Sequence, residues 1–146
     1  GYMEHYHSRT LRQGRHSLAG YCYLVTVVTR DRRPRFLQYQ PAACACRCFY
    51  ADSVCQHGST LAFVVMPDHI HWLLQVEGSL SEAVRIYKAL VSCQVGARLW
   101  QDGFHDHGLR RDEDLRRVAR YIVANPLRAG LVDNILDYPY WDAVWL

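Results

Sequence analysis

A β-hairpin and two histidines share one stretch of this chain, Met66-Pro67-Asp68-His69-Ile70-His71-Trp72-Leu73-Leu74. Pro67-Asp68 is a tight link between two apolar strands, predicted over residues 60–66 and 69–76, so the strands must be antiparallel neighbours. Alternate residues of a strand point to the same side of the sheet. His69 and His71 therefore lie side by side, where two imidazoles can converge on one metal ion.

The remaining elements follow from hydrophobic periodicity and from capping and turn residues. We predict strands over 21–29 and 104–109, and helices over 40–56, from Ser79 or Ser81 to about Trp100, and from Asp112 to about Asn125. Ser79 and Glu82 fit a capping box, and Pro126 limits the third helix. Residues 1–19 are interpreted as a basic arm and residues 130–146 as an irregular aromatic tail.

This order of elements predicts an α+β fold with a ferredoxin-like antiparallel sheet. Two helices would cover one face of the sheet, and an added C-terminal helix would approach the face that carries the histidines. We expect residues 1–146 to form a single domain, a length that can bury a sizeable core.

The third helix carries an apolar stripe at the spacing of one helical face, Leu115, Val118, Ala119 and Ile122. Tyr121 and Asn125 are four residues apart and fall on the edge of that stripe. If the stripe packs beside the histidine strand, Tyr121 and Asn125 come close to His69 and His71.

The charge of the chain indicates an anionic partner. The formal net charge is +3, and Lys88 is the only lysine among the 17 basic residues. Arginine presents a planar fork suited to phosphate and to base edges. No apolar stretch is long enough for a membrane span. We expect a cytoplasmic protein with reduced thiols and no membrane partner.

Two segments then suggest a family. His69-Ile70-His71 is a His-hydrophobe-His (HUH) motif, and Tyr121-Ile122-Val123-Ala124-Asn125-Pro126 is similar to the nucleophile helix of single-tyrosine HUH transposases. Residues 64–72, 100–107 and 120–132 narrow the match. From about Tyr21 to Trp145, the chain resembles the REP-associated tyrosine transposases.

The resemblance implies a transposase and endonuclease that cleaves and rejoins single-stranded DNA next to hairpin (REP-type) sequences. Tyr121 matches the nucleophile, which would leave a 5′-phosphotyrosine and a free 3′-hydroxyl. His69 and His71 match the metal ligands, Asn125 matches an amide ligand, and the metal would be Mg²⁺ or Mn²⁺. Imidazole ligands suit Mn²⁺ better than Mg²⁺. Both a monomer with the tyrosine in cis and a homodimer with it in trans stay open.

Several further residues are candidates for contact with DNA or with the metal site. His105 and His107 are interpreted as a pair that supports the site or contacts DNA, with an ordinary polar loop as the alternative. Arginines of the basic arm and of the third helix are expected to contact DNA, namely Arg9, Arg12, Arg15 and Arg120.

Two other functions fit parts of the pattern. A non-catalytic module of ferredoxin-like fold could bind single-stranded nucleic acid through aromatic and basic side chains. A metal hydrolase for small molecules would need an acid or base near the metal, and Asp68 is the only carboxylate next to the motif. Cleavage that depends on Tyr121 separates the transposase from both alternatives.

Overall fold

Five antiparallel strands form one sheet in the order β4-β1-β3-β2-β5 in the computed structural model, which describes residues 21–96, 98–109 and 112–145. The strands are β1 (Tyr21–Val28), β2 (Gly58–Met66), β3 (His69–Val76), β4 (His105–Leu109) and β5 (Trp141–Ala143). The helices are α1 (Tyr39–Cys48), α2 (Asp52–Cys55), α3 (Leu80–Val95), α4 (Asp112–Val123) and α5 (Asn125–Arg128). This arrangement confirms the predicted ferredoxin-like fold with an added C-terminal helix.

The hairpin between β2 and β3 has the predicted two-residue link. Met66 pairs with His69 across the hairpin, so Pro67 and Asp68 form the turn. The amide of Thr29 donates to the Asp68 carbonyl at 2.9 Å, and the amide of Phe36 donates to the Pro67 carbonyl at 3.0 Å. The segment that follows β1 therefore holds the turn and fixes the start of β3.

One face of the sheet is sealed by α1, α2 and α3. The side chains of β3 that point to it, including Ile70 and Trp72, are fully buried. The ring of Phe49 stacks on Phe63 at 4.3 Å and on Tyr87 at 4.4 Å between ring centroids. This face is an aromatic core, and it fixes the register that sends the intervening residues of β3 to the other side.

Helix α4 packs on the opposite face, as its stripe predicts. Val118, Ala119 and Ile122 are buried in one cluster with Leu73 of β3 and Met66 of β2. Because Leu73 alternates with His71 and His69, these histidines belong to the α4 side of the sheet. The added helix and the histidine strand are thus neighbours.

The first predicted helix, residues 40–56, is wrong as a single element. The chain forms α1 and α2 with a break between them, where Ala51 is extended (φ −60°, ψ 141°). Phe49 ends α1 fully buried in the aromatic core. Packing of this ring overrides the helical continuation that the local sequence favours.

Two other helix ends also differ from prediction. Helix α3 ends at Val95 and not near Trp100, because Gly96 adopts a left-handed conformation (φ 77°) that terminates it. Its start is as predicted, since the Ser79 hydroxyl accepts from the Glu82 amide at 3.2 Å. Helix α4 ends at Val123, and Asn125 begins α5 with Pro126 in its first turn. In the described part of the chain, no helix has the length and apolar character needed to cross a membrane.

The interpretation of residues 130–146 as irregular is also wrong in part. Ile135–Asp137 forms a 3-10 turn, and Trp141–Ala143 forms β5, which pairs with β2. A three-residue strand is too short to show an alternating pattern in sequence. It is stabilised by the edge of β2, whose backbone groups would otherwise be unpaired.

Candidate active site

His69 and His71 stand side by side on the α4 face of β3. Their ring centroids are 4.9 Å apart with an interplanar angle of 76°. The side chain of His69 is 16% exposed, and His71 is also partly buried. The strand therefore presents two imidazoles that converge on one small region at the surface, as the His-x-His spacing predicts.

Each imidazole is oriented by an oxygen atom at its Nδ1. His69 Nδ1 lies 2.7 Å from Asp68 Oδ1, and Arg32 Nε donates to Asp68 Oδ2 at 3.0 Å. His71 Nδ1 lies 2.9 Å from the hydroxyl of Thr26 on the neighbouring strand. These contacts occupy Nδ1 of both rings and leave Nε2 as the nitrogen for a further ligand. Histidines that bind metals are commonly held in this way.

The charge states around the pair suit metal binding. Burial, with the charges of His69 and Arg128, lowers the pKa of His71 to about 4, so this imidazole is neutral at pH 7 and keeps a lone pair. Burial acts to raise the pKa of Asp68, but the hydrogen bonds and charges of His69 and Arg32 outweigh it and hold that pKa below its usual value. Because the ionised carboxylate only accepts, His69 donates from Nδ1.

The donor set fits a divalent metal with open coordination positions. Within the described residues, no cluster of three or more His, Cys, Asp or Glu side chains could hold an ion. Further ligands would have to be an amide, water or substrate oxygens. Sites that activate a substrate keep such positions open, whereas structural sites are closed by protein ligands.

Tyr121 lies on the last turn of α4 and is 61% exposed. The guanidinium carbon of Arg128 lies 3.7 Å from the centre of the Tyr121 ring. The same Arg128 is close enough to His71 for its charge to lower the pKa of that imidazole. Arg128 therefore connects the tyrosine helix with the histidine strand in one chain.

Asn125 is half-buried at the first position of α5. The helix is interrupted at Ala124, so Tyr121 and Asn125 belong to consecutive helices. The prediction that both lie on one face of a single helix is therefore wrong in its premise. The role of Asn125 as a metal ligand stays a prediction.

His105 and His107 are exposed on β4, on the same face of the sheet as the histidine pair. His105 is paired with Thr26, which is paired with His71, so β1 separates the two histidines. Two strand spacings correspond to about 10 Å. His105 also lines a cavity of about 220 Å³ with Thr26 and Asp102. Its position allows contact with a strand of DNA that crosses the face, but not close support of the His69–His71 pair.

The arginines predicted to contact DNA are only partly described. Arg120 is exposed on α4 and lines a cavity of about 270 Å³ with Arg116 and Trp145. Arg9, Arg12 and Arg15 lie outside the described residues.

Three residues of the site did not emerge from the sequence. Thr26 orients His71, Arg32 holds Asp68, and Arg128 covers the ring of Tyr121. Thr26 could have been found by pairing β1 with β3 in register. Arg128 follows Tyr121 by seven residues, a spacing that carries no signal until the break at Ala124 is known.

Comparison with known proteins identifies the class. A Haemophilus influenzae protein assigned to the REP-associated tyrosine transposases is 31% identical over 148 residues, which cover 83% of this chain and 78% of that protein. The REP-associated tyrosine transposase of Escherichia coli K12 is 30% identical over 132 residues, or 86% of this chain and 78% of the relative. No family model matches the chain.

A solved structure agrees with these relatives. The structure of a REP-associated tyrosine transposase bound to a REP hairpin is 27% identical to this chain, with a TM-score of 0.71. The match covers 87% of this chain and 79% of the solved one. The fold and these relatives define a DNA-binding enzyme of the tyrosine transposase class. Within that class, the chain belongs to the REP-associated tyrosine transposases.

Proposed function

We propose that this transposase is a metal-dependent endonuclease that cleaves and rejoins single-stranded DNA next to hairpins, with Tyr121 as its nucleophile. One observation carries the proposal. Arg128 lies over the ring of Tyr121 at 3.7 Å, and its charge also acts on His71. This shared neighbour supports a single site composed of the tyrosine helix and the histidine pair.

Cleavage would be a transesterification at phosphorus. The phenol oxygen of Tyr121 forms a bond to the phosphorus atom as the bond from phosphorus to the 3′ oxygen breaks. The phenol loses one proton and the leaving 3′ oxygen gains one, so the products are a 5′-phosphotyrosine and a 3′-hydroxyl. The covalent link conserves the phosphodiester for rejoining, which is the reverse attack by a 3′-hydroxyl.

His69 and His71 would hold Mg²⁺ or Mn²⁺ through their Nε2 atoms, with Asn125 as the third protein ligand. A bound divalent ion neutralises charge on the scissile phosphate and stabilises the leaving oxygen. We expect Mn²⁺ to bind more tightly than Mg²⁺, because imidazole ligands favour transition metals. Asp68 and Thr26 keep the two rings in the orientation that presents Nε2.

Arg128 would position the nucleophile. Tyr121 is 61% exposed, so contacts within its own helix cannot fix the ring. A guanidinium over the aromatic face restricts the ring and is attracted to it electrostatically. Its positive charge also stabilises the negative charge that develops on the phenol oxygen as the proton leaves.

The geometry supports a monomer that uses its tyrosine in cis. Helix α4 packs against β2 and β3 of its own chain, and Arg128 joins Tyr121 to His71 without a second copy. The solved relative is bound to a REP hairpin. We therefore propose a hairpin with a single-stranded flank as the substrate of this chain too.

The test is formation of a covalent adduct. Wild-type protein is incubated with fluorescent single strands that flank varied hairpins, with Mn²⁺, and separated under denaturing conditions. We expect a labelled band that shifts to the protein, and its loss in Tyr121→Phe. Tyr39→Phe is the matched control, because Tyr39 is 70% exposed but lies on α1. No adduct with any hairpin, or an adduct that persists in Tyr121→Phe, would refute the proposal.

A further inference from the structure

A basic groove lies on the helical side of the sheet, away from the face that carries the histidines. It has a volume of about 410 Å³ and lies between the start of α1 and the end of α3. Two arginines and three amides contribute to its wall, namely Arg35, Arg47, Gln38, Gln40 and Gln94. No element of the proposed catalytic site accounts for this set of side chains.

The wall of the groove has uncompensated positive charge. Among its described lining residues there is no carboxylate, so Arg35 and Arg47 face the same space with no anion between them. Gln94 is held in place, because the Cys44 thiol donates to its Oε1 at 3.3 Å and its Nε2 donates to Cys48 at 3.7 Å. Two cations and a fixed amide around one cavity are suited to an anionic ligand that also accepts hydrogen bonds.

A basic loop joins this groove to the active site. Asp31 and Arg32 both have a left-handed backbone (φ 56° and 50°), which is uncommon for residues other than glycine. Such conformations persist where surrounding contacts fix them. Here Arg32 donates to Asp68, the partner of His69, while Arg35, three residues later, lines the groove. Positive charge therefore extends from the edge of the histidine site through Arg33 to Arg35 and Arg47.

We propose that this groove, here called the Arg35–Arg47 groove, binds the phosphodiester backbone of the single-stranded flank of the DNA substrate. The proposal rests on the proposed function, since the flank is the strand that Tyr121 would cleave. A concave wall of this size admits one strand and excludes a duplex. Contacts from arginines and amides to phosphates set the path of the strand without reading its sequence.

Two adjacent side chains support a nucleic-acid surface. Leu37 and Tyr39 are neighbours in the chain of the lining residues, and they are 66% and 70% exposed. Large apolar side chains left in solvent beside arginines are typical of surfaces on which bases stack. The wall itself is polar, so an apolar protein partner is a poorer match.

The experiment compares binding at several salt concentrations. Dissociation constants are measured by fluorescence anisotropy for a hairpin with a single-stranded flank and for the same hairpin without it. The variant is Arg35→Gln/Arg47→Gln. The matched control is Arg85→Gln, an exposed arginine on α3 that pairs with Glu82. Thermal melting establishes that each variant is folded.

We expect the double variant to bind the flanked hairpin on the order of tenfold more weakly than the control does. The slope of log K against log salt should fall by about 1.4, because each phosphate contact on a single strand contributes about 0.7. Binding of the hairpin without a flank should be unchanged. Equal slopes in variant and control, equal weakening on both DNAs, or no binding of DNA by the wild type would overturn the proposal.

The adduct assay separates this proposal from the proposed function. At saturating DNA the double variant should form the Tyr121 adduct at the wild-type rate, because neither arginine lies at the reacting atoms. If the wild type forms no adduct but the flank-dependent slope changes as expected, the groove stands and the catalytic proposal fails. If the adduct forms and the slope does not change, the catalytic proposal stands and the groove fails.

Discussion

The two faces of β3 differ in what covers them, although their residues alternate along one strand. On one face Ile70 and Trp72 are fully buried under three helices. On the other face His69 and His71 lie at the open edge of the cluster that α4 forms with Leu73. The apolar face fixes the register, and the register places both imidazoles. Stability and chemistry are thus separated by a single step along the strand, and neighbouring substitutions should have opposite effects.

The largest effect should come from His71→Ala. We expect the rate of adduct formation to fall on the order of 10³-fold, because metal stabilisation of the phosphate contributes several kcal/mol. The free energy of unfolding should change by only about 1 kcal/mol, since His71 belongs to neither apolar cluster. Single-turnover kinetics and urea unfolding measure the two quantities. Gln75→Ala, on the same face of β3, is the control and should leave the rate unchanged.

Trp72→Ala, one residue further, should reverse this pattern. We expect the free energy of unfolding to fall by about 3–5 kcal/mol, the usual loss for a large buried aromatic side chain. The substitution also removes the donor to the Thr60 hydroxyl, now 2.9 Å from the indole nitrogen. The fraction that stays folded should still bind Mn²⁺. A loss below about 1 kcal/mol in urea unfolding would mean that this face does not fix the strand.

Asp68→Asn tests the polar face without touching a metal ligand. We expect Mn²⁺ affinity to fall by about 10- to 100-fold, the usual cost of losing the partner that orients a metal-binding histidine. Titration calorimetry measures the affinity. Asp102→Asn is the matched control, because this exposed carboxylate reaches Arg30 only at 4.0 Å. Equal affinities in the two variants would remove Asp68 from the site.

Arg128→Gln should have the smallest effect of the four. We expect the single-turnover rate of adduct formation to fall about tenfold with Mn²⁺ affinity unchanged, because a cation over an aromatic face contributes about 1–2 kcal/mol. Arg128→Lys should recover part of the rate, since the charge is retained. Arg116→Gln, also exposed and on α4, should have no effect. A rate loss that Lys does not reduce at all would indicate packing in place of charge.

Much of this architecture was accessible from sequence because its signals are local. The hairpin follows from two apolar runs joined by Pro67-Asp68, and the α4 stripe follows from helical periodicity. Both were placed correctly, and so was the N-cap at Ser79. The position of the histidine pair then follows from the period of two along β3.

What could not be predicted depends on contacts between distant parts of the chain. The break after α1 reflects the burial of Phe49 among rings from other elements. Strand β5 exists because the edge of β2 offers it backbone partners. Thr26 and Arg32 reach the histidines only after β1 and its loop are placed beside β3. Each depends on tertiary packing that no window of sequence contains.

The most direct test of the central claim is peptide mapping by mass spectrometry of the adduct formed with hairpin DNA and Mn²⁺. We expect the 5′-phosphate of the DNA on Tyr121, with no adduct in the presence of a chelator or in His69→Ala/His71→Ala. Mixing that double variant with Tyr121→Phe should not restore the adduct if the site is formed within one chain. DNA attached to another residue, or an adduct that persists after the metal is removed, would contradict a single site composed of β3 and α4.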